Sequence, residues 1–260
     1  MSRTSSQDSD RDVMSHADRV AQFFDDSDPY LRRSYNIRLR SETVREMVGT
    51  RQPESILDIG CGDGSLSLQL LTGQNRLLLV DVTKTMLDVA MSRVPETLRP
   101  TVKSFHGDFL KAALEPASFD LILCLGVLAH VDSPTDVVAR ICTLLKPGGM
   151  AIVTISSGRH PLGWLRARYV GMRDLFISPL YKLKWLSPRQ VLRQFLNGGL
   201  EVKQKFQYNF PAPFMDRLLS NERLYSRIRR IHGSAANNRR PWMGSEGIYA
   251  LEKAIEKPGC

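Results

Sequence analysis

From residue 55 onward the chain alternates short apolar runs with amphipathic stretches, and no other feature restricts its fold as much. Ser55–Ile59, Leu77–Val80, Val102–His106, Phe119–Leu123 and Met150–Ile155 read as strands, and Ser65–Leu71, Thr85–Ser92 and Pro134–Leu145 between them read as helices. Most of the strand runs are apolar throughout, the pattern of strands buried on both faces. Such strands joined by helices predict an α/β, doubly wound, mostly parallel sheet. Two later runs, Leu200–Phe206 and Ile248–Lys253, bring the expected strands to seven. Ser187-Pro188 opens a helix over Arg189–Leu196, with Ser187 placed to cap it and Pro188 in its first turn. Arg217–Ile231 reads as a basic helix.

The flanks are less constrained. Ala17–Phe24 and Ser41–Val48 look helical, separated by the turn signal Asp28-Pro29. The Ser/Asp-rich start lacks the apolar core of a secretory signal, so 1–16 is expected to be a disordered tail and the protein cytoplasmic. A length of 260 residues with 42% hydrophobic and 24% charged side chains suits one globular domain over 17–260. No apolar run reaches the roughly 18–20 residues that span a bilayer. The four cysteines have no Cys-x-x-Cys spacing, which gives no reason to expect a metal site or a disulfide framework. Charge is uneven. Residues 1–150 carry 17 Lys and Arg against 20 Asp and Glu, whereas 151–260 carry 19 against 7. A one-signed field over the later part favours anionic partners, or is simply a solvated basic face.

The chemistry starts at Asp58-Ile59-Gly60-Cys61-Gly62-Asp63-Gly64, at the carboxyl end of the first strand, where open α/β sheets bind ligands. Its glycines permit a tight turn and close backbone approach, and a helix beginning near Ser65 would aim free N–H groups at the ligand. Asp81, 17 residues after Gly64, ends the second strand with a carboxylate suited to both hydroxyls of a ribose. A nicotinamide enzyme shares that arrangement, but its fingerprint needs a third glycine where Ser65 stands. Asp58, directly before the loop, is placed to organise it or to meet an ammonium group. Gly107-Asp108-Phe109 offers a carboxylate for an adenine amine and an aromatic wall.

The ordered set of that loop, Asp81, Gly107-Asp108-Phe109 and Leu145-Lys146-Pro147-Gly148-Gly149 resembles the class I S-adenosylmethionine-dependent methyltransferases over about residues 40–156. It is similar to the branch of ubiquinone/menaquinone-biosynthesis and small-molecule methyltransferases. The resemblance implies a Rossmann-like cofactor-binding core over about 40–156 and a lid and substrate region over about 157–246. It implies that Gly60, Cys61 and Gly62 form the loop against the methionine part of S-adenosylmethionine. Asp81 would hold the ribose, Val82 and Met86 would line the adenine pocket, Asp108 would bind the adenine amine and Phe109 would flank the ring. Leu125 would offer its backbone to the cofactor ammonium. An N-terminal aromatic or arginine over the cofactor is a family habit, for which Tyr30, Tyr35, Arg38 and Arg40 are candidates.

Methyl transfer in this family is an in-line displacement, so alignment and desolvation supply much of the catalysis, with a base needed only for a protonated acceptor. His130, in Leu125-Gly126-Val127-Leu128-Ala129-His130, is the candidate base, with His160 and Tyr169 behind it. Trp164, Tyr169, Met172, Phe176 and Tyr181, then Phe206, Tyr208, Phe210, Phe214 and Met215, suit an apolar or aromatic acceptor or a core of their own. Arg166, Arg168, Arg173, Lys182 and Lys184 suit an anionic group. The expected substrate is a small, mostly apolar molecule methylated at oxygen, with an anionic group, delivery by a carrier or contact with a membrane surface. An RNA or protein methyltransferase using the basic half is the alternative. Against it stand the lack of an RNA-binding module and of an Asn-Pro-Pro-Tyr-like motif after the fourth strand. A non-catalytic cofactor-binding protein is a third reading, against which the intact loop and acids stand.

Overall fold

The structure, a computed structural model, describes residues 16–25, 34–156, 186–208 and 219–255. Helices α1 (His16–Asp25) and α2 (Ser34–Val48) lead into β1 (Ser55–Ile59), β2 (Arg76–Asp81), α3 (Lys84–Ser92), β3 (Val102–His106), β4 (Phe119–Cys124), α4 (Pro134–Leu144) and β5 (Leu145–Ser156). The later part gives α5 (Pro188–Asn197), β6 (Leu200–Tyr208), α6 (Asn221–His232) and β7 (Glu246–Lys253). The seven strands form one sheet in the order β3-β2-β1-β4-β5-β7-β6. β1 to β5 run parallel, and β7 is inserted antiparallel between β5 and β6. The doubly wound sheet predicted from the strand–helix alternation is therefore present.

Alternate residues along each strand supply two apolar layers. Ile56, Leu79, Leu123, Ile152 and Ile248 face one way, beneath Leu39 and Val44 of α2, Leu87 of α3 and Ile228 of α6. Leu57, Val80, Ile122, Val153 and Leu251 face the other way, against Val137 and Ile141 of α4 and Val191 and Phe195 of α5. Phe206 and Tyr208, candidates for acceptor contact, are fully buried and stacked at 5.6 Å in the first layer. They belong to the core because the strand continues two residues past Phe206, so both sit at inward positions.

Several boundaries differ for local reasons. α2 begins at Ser34, seven residues before the expected start, because Tyr35 and Leu39 extend its buried stripe through a basic run. Ser65–Leu71 is not an α-helix; only a 3₁₀ turn at Leu68–Leu70 forms. Asp63 captures the N–H and hydroxyl of Ser65 at 3.2 and 2.7 Å, and Asn75 donates to the Leu70 carbonyl at 2.7 Å. These side chains compete with the helical ladder. Ser187 stands at the N-cap position of α5, but its side chain makes no capping hydrogen bond. The basic helix runs over Asn221–His232, and its inner residues Leu224 and Ile228 belong to the core layer. Residues 146–149 form an irregularity at the start of β5, where the register jumps from Phe119↔Leu145 to Leu121↔Met150.

Two polar devices fasten the sheet. Asp120 accepts from the Ser55 N–H and hydroxyl at 2.9 and 2.6 Å and from Lys146 at 2.9 Å, tying β1, β4 and β5 together at their amino ends. On the free edge of β6, Asn238 accepts from the Gln207 N–H at 2.8 Å and donates to its carbonyl at 3.0 Å. Among the described residues no helix is long and apolar enough to cross a membrane. Lys253 of β7 donates to the carbonyls of Cys142 and Leu145 at 2.8 and 2.9 Å, satisfying the carboxyl end of α4. Lys253→Met leaves those carbonyls unpaired and should cost about 1–3 kcal/mol, read from the urea midpoint; an unchanged midpoint would show that water replaces the ammonium.

Candidate active site

The winding direction of the sheet reverses between β1 and β4, and the carboxyl ends of the strands at such a reversal are where open α/β sheets have their binding crevice. The first wall is the glycine loop. The N–H groups of Gly60 and Cys61 both donate to the Val80 carbonyl, at 2.8 and 3.1 Å, which pins the loop to β2. Gly60 has φ +65, and a Cβ there would overlap a Val127 methyl. The close approach that requires this glycine is thus with protein from the loop after β4. Asp63 is buried beneath the loop and paired with Arg93, the C-cap residue of α3.

Asp81 is buried at the end of β2, with one oxygen accepting from the Gly62 N–H at 2.8 Å and the other from the Thr83 N–H at 2.9 Å. Burial pushes its pKa up, while the N–H groups of Thr83 and Gly62 pull the other way. The Thr83 hydroxyl and the Val82 N–H pull the same way as those N–H groups, so the carboxylate is held as a hydrogen-bond acceptor at the end of β2. Because Ser65 starts no helix, the N–H that meets this carboxylate comes from Gly62 in the loop.

Asp58 is 1% exposed, and its Oδ2 has no hydrogen-bond partner. Burial raises its pKa to about 7; Ser67 counteracts this, and the charges of Asp81 and Asp63 add to it. A buried, unpartnered carboxylate oxygen is costly and calls for a ligand or a proton. Cys61 and Cys124 are buried with their thiol pKa values pushed up by burial, so neither is a nucleophile. The Cys61 side chain packs in the core, which leaves its backbone as the part available to a ligand.

Around the adenine end expected from the sequence, Met86 is buried yet belongs to neither apolar layer, and Val82 is half-buried. Asp108 is half-buried and spends one oxygen capping the turn Phe109–Lys111 through the Leu110 N–H at 2.9 Å. Phe109 does not stand free as a wall. Its ring is 5% exposed in the second layer, with the Arg140 guanidinium 5.4 Å from its centroid. Arg140 also donates to the Leu110 carbonyl at 3.2 Å, which draws the turn onto α4.

Of the N-terminal candidates among the described residues, Arg40 alone lies against the loop after β4. Tyr35 is in the core, and Arg38 turns away to Glu42, Glu222 and the ring of Tyr225. Arg40 lies against Gly126, where a Cβ would come within 2.8 Å of its guanidinium, and Gly126 has φ +81. Tyr30, His160, Tyr169, Trp164, Met172, Phe176 and Tyr181 lie outside the described residues, as do Phe210, Phe214, Met215 and the basic set Arg166, Arg168, Arg173, Lys182 and Lys184. Leu125 follows β4 directly with its side chain in the first layer. His130 is half-buried at the end of the same loop, its N–H donating to the Val127 carbonyl at 2.8 Å.

The sequence reading missed a polar tip beyond Leu125. Cys124 pairs with Val153, which puts Thr154 on β5 one step further, level with Leu125. Thr154 is buried, and its hydroxyl has no hydrogen-bond partner among the described residues. Two residues on, Ser156 pairs with Glu246 across β7 and its hydroxyl donates to the Glu246 carboxylate at 2.8 Å. Glu246 is 5% exposed. The only sequence signal is a polar residue at an inward position near each strand end.

The donor set fits a ligand with hydroxyls, a cationic centre and a carboxylate: Asp81 for the first, the empty side of Asp58 for the second, Arg40 for the third. An open sheet of this order resembles that of the class I S-adenosylmethionine-dependent methyltransferases. The comparisons agree. The methyltransferase domain family matches residues 57–153. The ubiquinone biosynthesis O-methyltransferase of Leptothrix cholodnii is 28% identical over 179 residues, covering 66% of this chain and 75% of the relative. The malonyl-[acyl-carrier protein] O-methyltransferase of Halalkalibacterium halodurans is 37% identical over 106 residues, 39% of this chain and 38% of that one. Among solved structures, an S-adenosylmethionine-dependent methyltransferase from Thermotoga maritima superposes with TM-score 0.65 at 18% identity, covering 92% of this chain and all of that one. Magnesium protoporphyrin IX methyltransferase from Synechocystis PCC 6803, with bound S-adenosylhomocysteine, gives 0.62 at 14%, covering 92% of this chain and all of that one. Residues 57–153 thus carry a methyltransferase domain on a methyltransferase fold, and the enzyme is an S-adenosylmethionine-dependent methyltransferase with S-adenosylmethionine as its cofactor.

A pH dependence follows from Asp58. Its folded pKa of about 7 lies above the ordinary 3.8, so the stability associated with its protonated form is lost as pH rises through that interval. Binding of a cation has the opposite preference. Affinity for S-adenosylmethionine should fall below pH 7 by up to about tenfold per unit, measured by calorimetry. Asp58→Asn should bind more weakly with a flat profile; an equally steep profile in that variant would assign the titration to another group.

Proposed function

We propose that this enzyme methylates an oxygen of a small, mostly apolar or aromatic acceptor. The observation that carries this reading is the polar tip formed by Thr154, Ser156 and Glu246. A buried hydroxyl without a hydrogen-bond partner among the described residues and a buried carboxylate, level with and just beyond Leu125, suit an acceptor that brings its own hydroxyl. The O-methyltransferase names of the two relatives support it.

S-adenosylmethionine supplies the electrophilic methyl. Asp58, the Gly60-Cys61-Gly62 backbone and Leu125 hold the methionine end, with Arg40 at its carboxylate. Asp81 holds the ribose, and Val82, Met86, Asp108 and the edge of Phe109 hold the base. Val127 fills the space over Gly60, which excludes water from that side of the loop. His130, on the loop that follows β4, takes the acceptor proton.

The test is methyl transfer from isotope-labelled S-adenosylmethionine to catechols, phenolic acids and primary amines, with the products assigned by NMR. O-methyl products are expected; exclusive N-methylation would overturn the reading. Asp81→Ala should weaken cofactor binding by about 1–3 kcal/mol through lost charged hydrogen bonds, and an unchanged dissociation constant removes the ribose assignment. His130→Ala should slow turnover by about 100-fold or more without altering cofactor affinity. Full retained activity would show that no base acts at that position.

A further inference from the structure

The positive charge of the later part is concentrated. Residues 223–245 hold six arginines and no acid. In α6 the positions Leu224, Ile228 and His232 recur every fourth residue and are buried. Tyr225 and Arg229 face α2, where Tyr225 donates to Glu42, and Arg229 meets Glu42 at 3.0 Å and Glu46 at 2.9 Å. Arg38 meets Glu222 at 2.6 Å. These pairs use every acid of both helices. The outer face of α6 keeps Arg223, Arg227 and Arg230, at i, i+4 and i+7, all exposed and without an ion pair to any described residue. The chain then turns back at the bridge Gly233↔Asn238, with the Arg239 N–H donating to the His232 carbonyl at 2.7 Å. Arg239 and Arg240 are exposed, and burial first, then the Arg240 charge, holds the His232 pKa low. Trp242, in the 3₁₀ turn Pro241–Met243, is 76% exposed, more than any other large hydrophobic side chain among the described residues.

We propose that the outer face of α6 and the turn after it dock the enzyme on an anionic lipid bilayer. Guanidinium groups pair with headgroup phosphates, and clustered arginines add their attractions at a negative surface. Tryptophan settles at the membrane–water boundary, where its ring is apolar and its N–H stays wet. Single-stranded RNA would need a basic groove with several stacking aromatics; here the basic residues line the outward side of a helix and one aromatic stands beside them. The docked helix is coupled to the crevice, because α2, to which Glu42 and Glu46 bind it, also carries Arg40 onto Gly126. The purpose of docking rests on the apolar-acceptor reading, since such an acceptor partitions into the bilayer.

The experiment sediments the full chain with vesicles of phosphatidylcholine alone or mixed with phosphatidylglycerol, across a salt series. Binding is expected only to the mixed vesicles and should weaken as salt rises. Arg223→Glu/Arg227→Glu/Arg230→Glu should lower it by about tenfold or more with melting temperature and S-adenosylhomocysteine affinity unchanged. If that variant fails to fold, Arg227→Gln and Trp242→Ala are each expected to weaken vesicle binding. Equal binding to both vesicle types, unchanged binding of the variants, or tighter binding of a single-stranded RNA than of the mixed vesicles overturns the proposal. Docking that persists while phenolic acceptors are not methylated removes the acceptor reading and leaves the docking surface standing.

Discussion

The reversal of winding between β1 and β4 is the constraint on which the rest depends. Parallel neighbours require crossovers, and crossovers leaving in opposite directions from two adjacent strands cannot close over their carboxyl ends. The crevice is therefore a by-product of strand order. Asp120 holds the amino ends of β1, β4 and β5 together on the far side. The loops at the near side can then be shaped for binding without loosening the sheet. Val127 packing into the space above Gly60 closes the gap between the two walls by protein–protein contact.

Three carboxylates lie around the glycine loop, and their differing environments divide the work. Asp63 is neutralised by Arg93 and serves the loop's shape. Asp81 is held by the N–H groups of Gly62 and Thr83, with the Thr83 hydroxyl and the Val82 N–H beside them, which orient it. Asp58 has neither, and its unmet oxygen carries an electrostatic cost that a proton or a cation would relieve. Gathering like charges this closely makes the apo site dearer and the complex correspondingly more favourable.

Much of this was legible from sequence. β1 and β3 begin and end where their apolar runs do, because Pro53 and the glycines at 60 and 107 bound them sharply. The candidate acids could be picked out because Asp81 ends β2 and because Asp58 and Asp108 stand beside the carboxyl ends of β1 and β3. Ser65–Leu71 misled because helical periodicity in a short segment says nothing of Asp63 and Asn75 bonding its backbone. Arg40 could not be separated from Arg38 in one basic run; the distinction is rotational, since Arg38 meets acids of α2 and α6 while Arg40 reaches a glycine after β4. Thr154 and Glu246 are distant in sequence, and only the antiparallel insertion of β7 beside β5 makes them neighbours.

That insertion leaves β6 as the outer strand, with Asn238 bonded to both main-chain groups of Gln207. A side-chain amide there imitates the next strand and ends the ladder. An incoming chain would have to displace it before adding a strand at that point, and Lys205 further along the edge would meet its own like charge in a second copy. Self-association by continuing the sheet is thus disfavoured along this border.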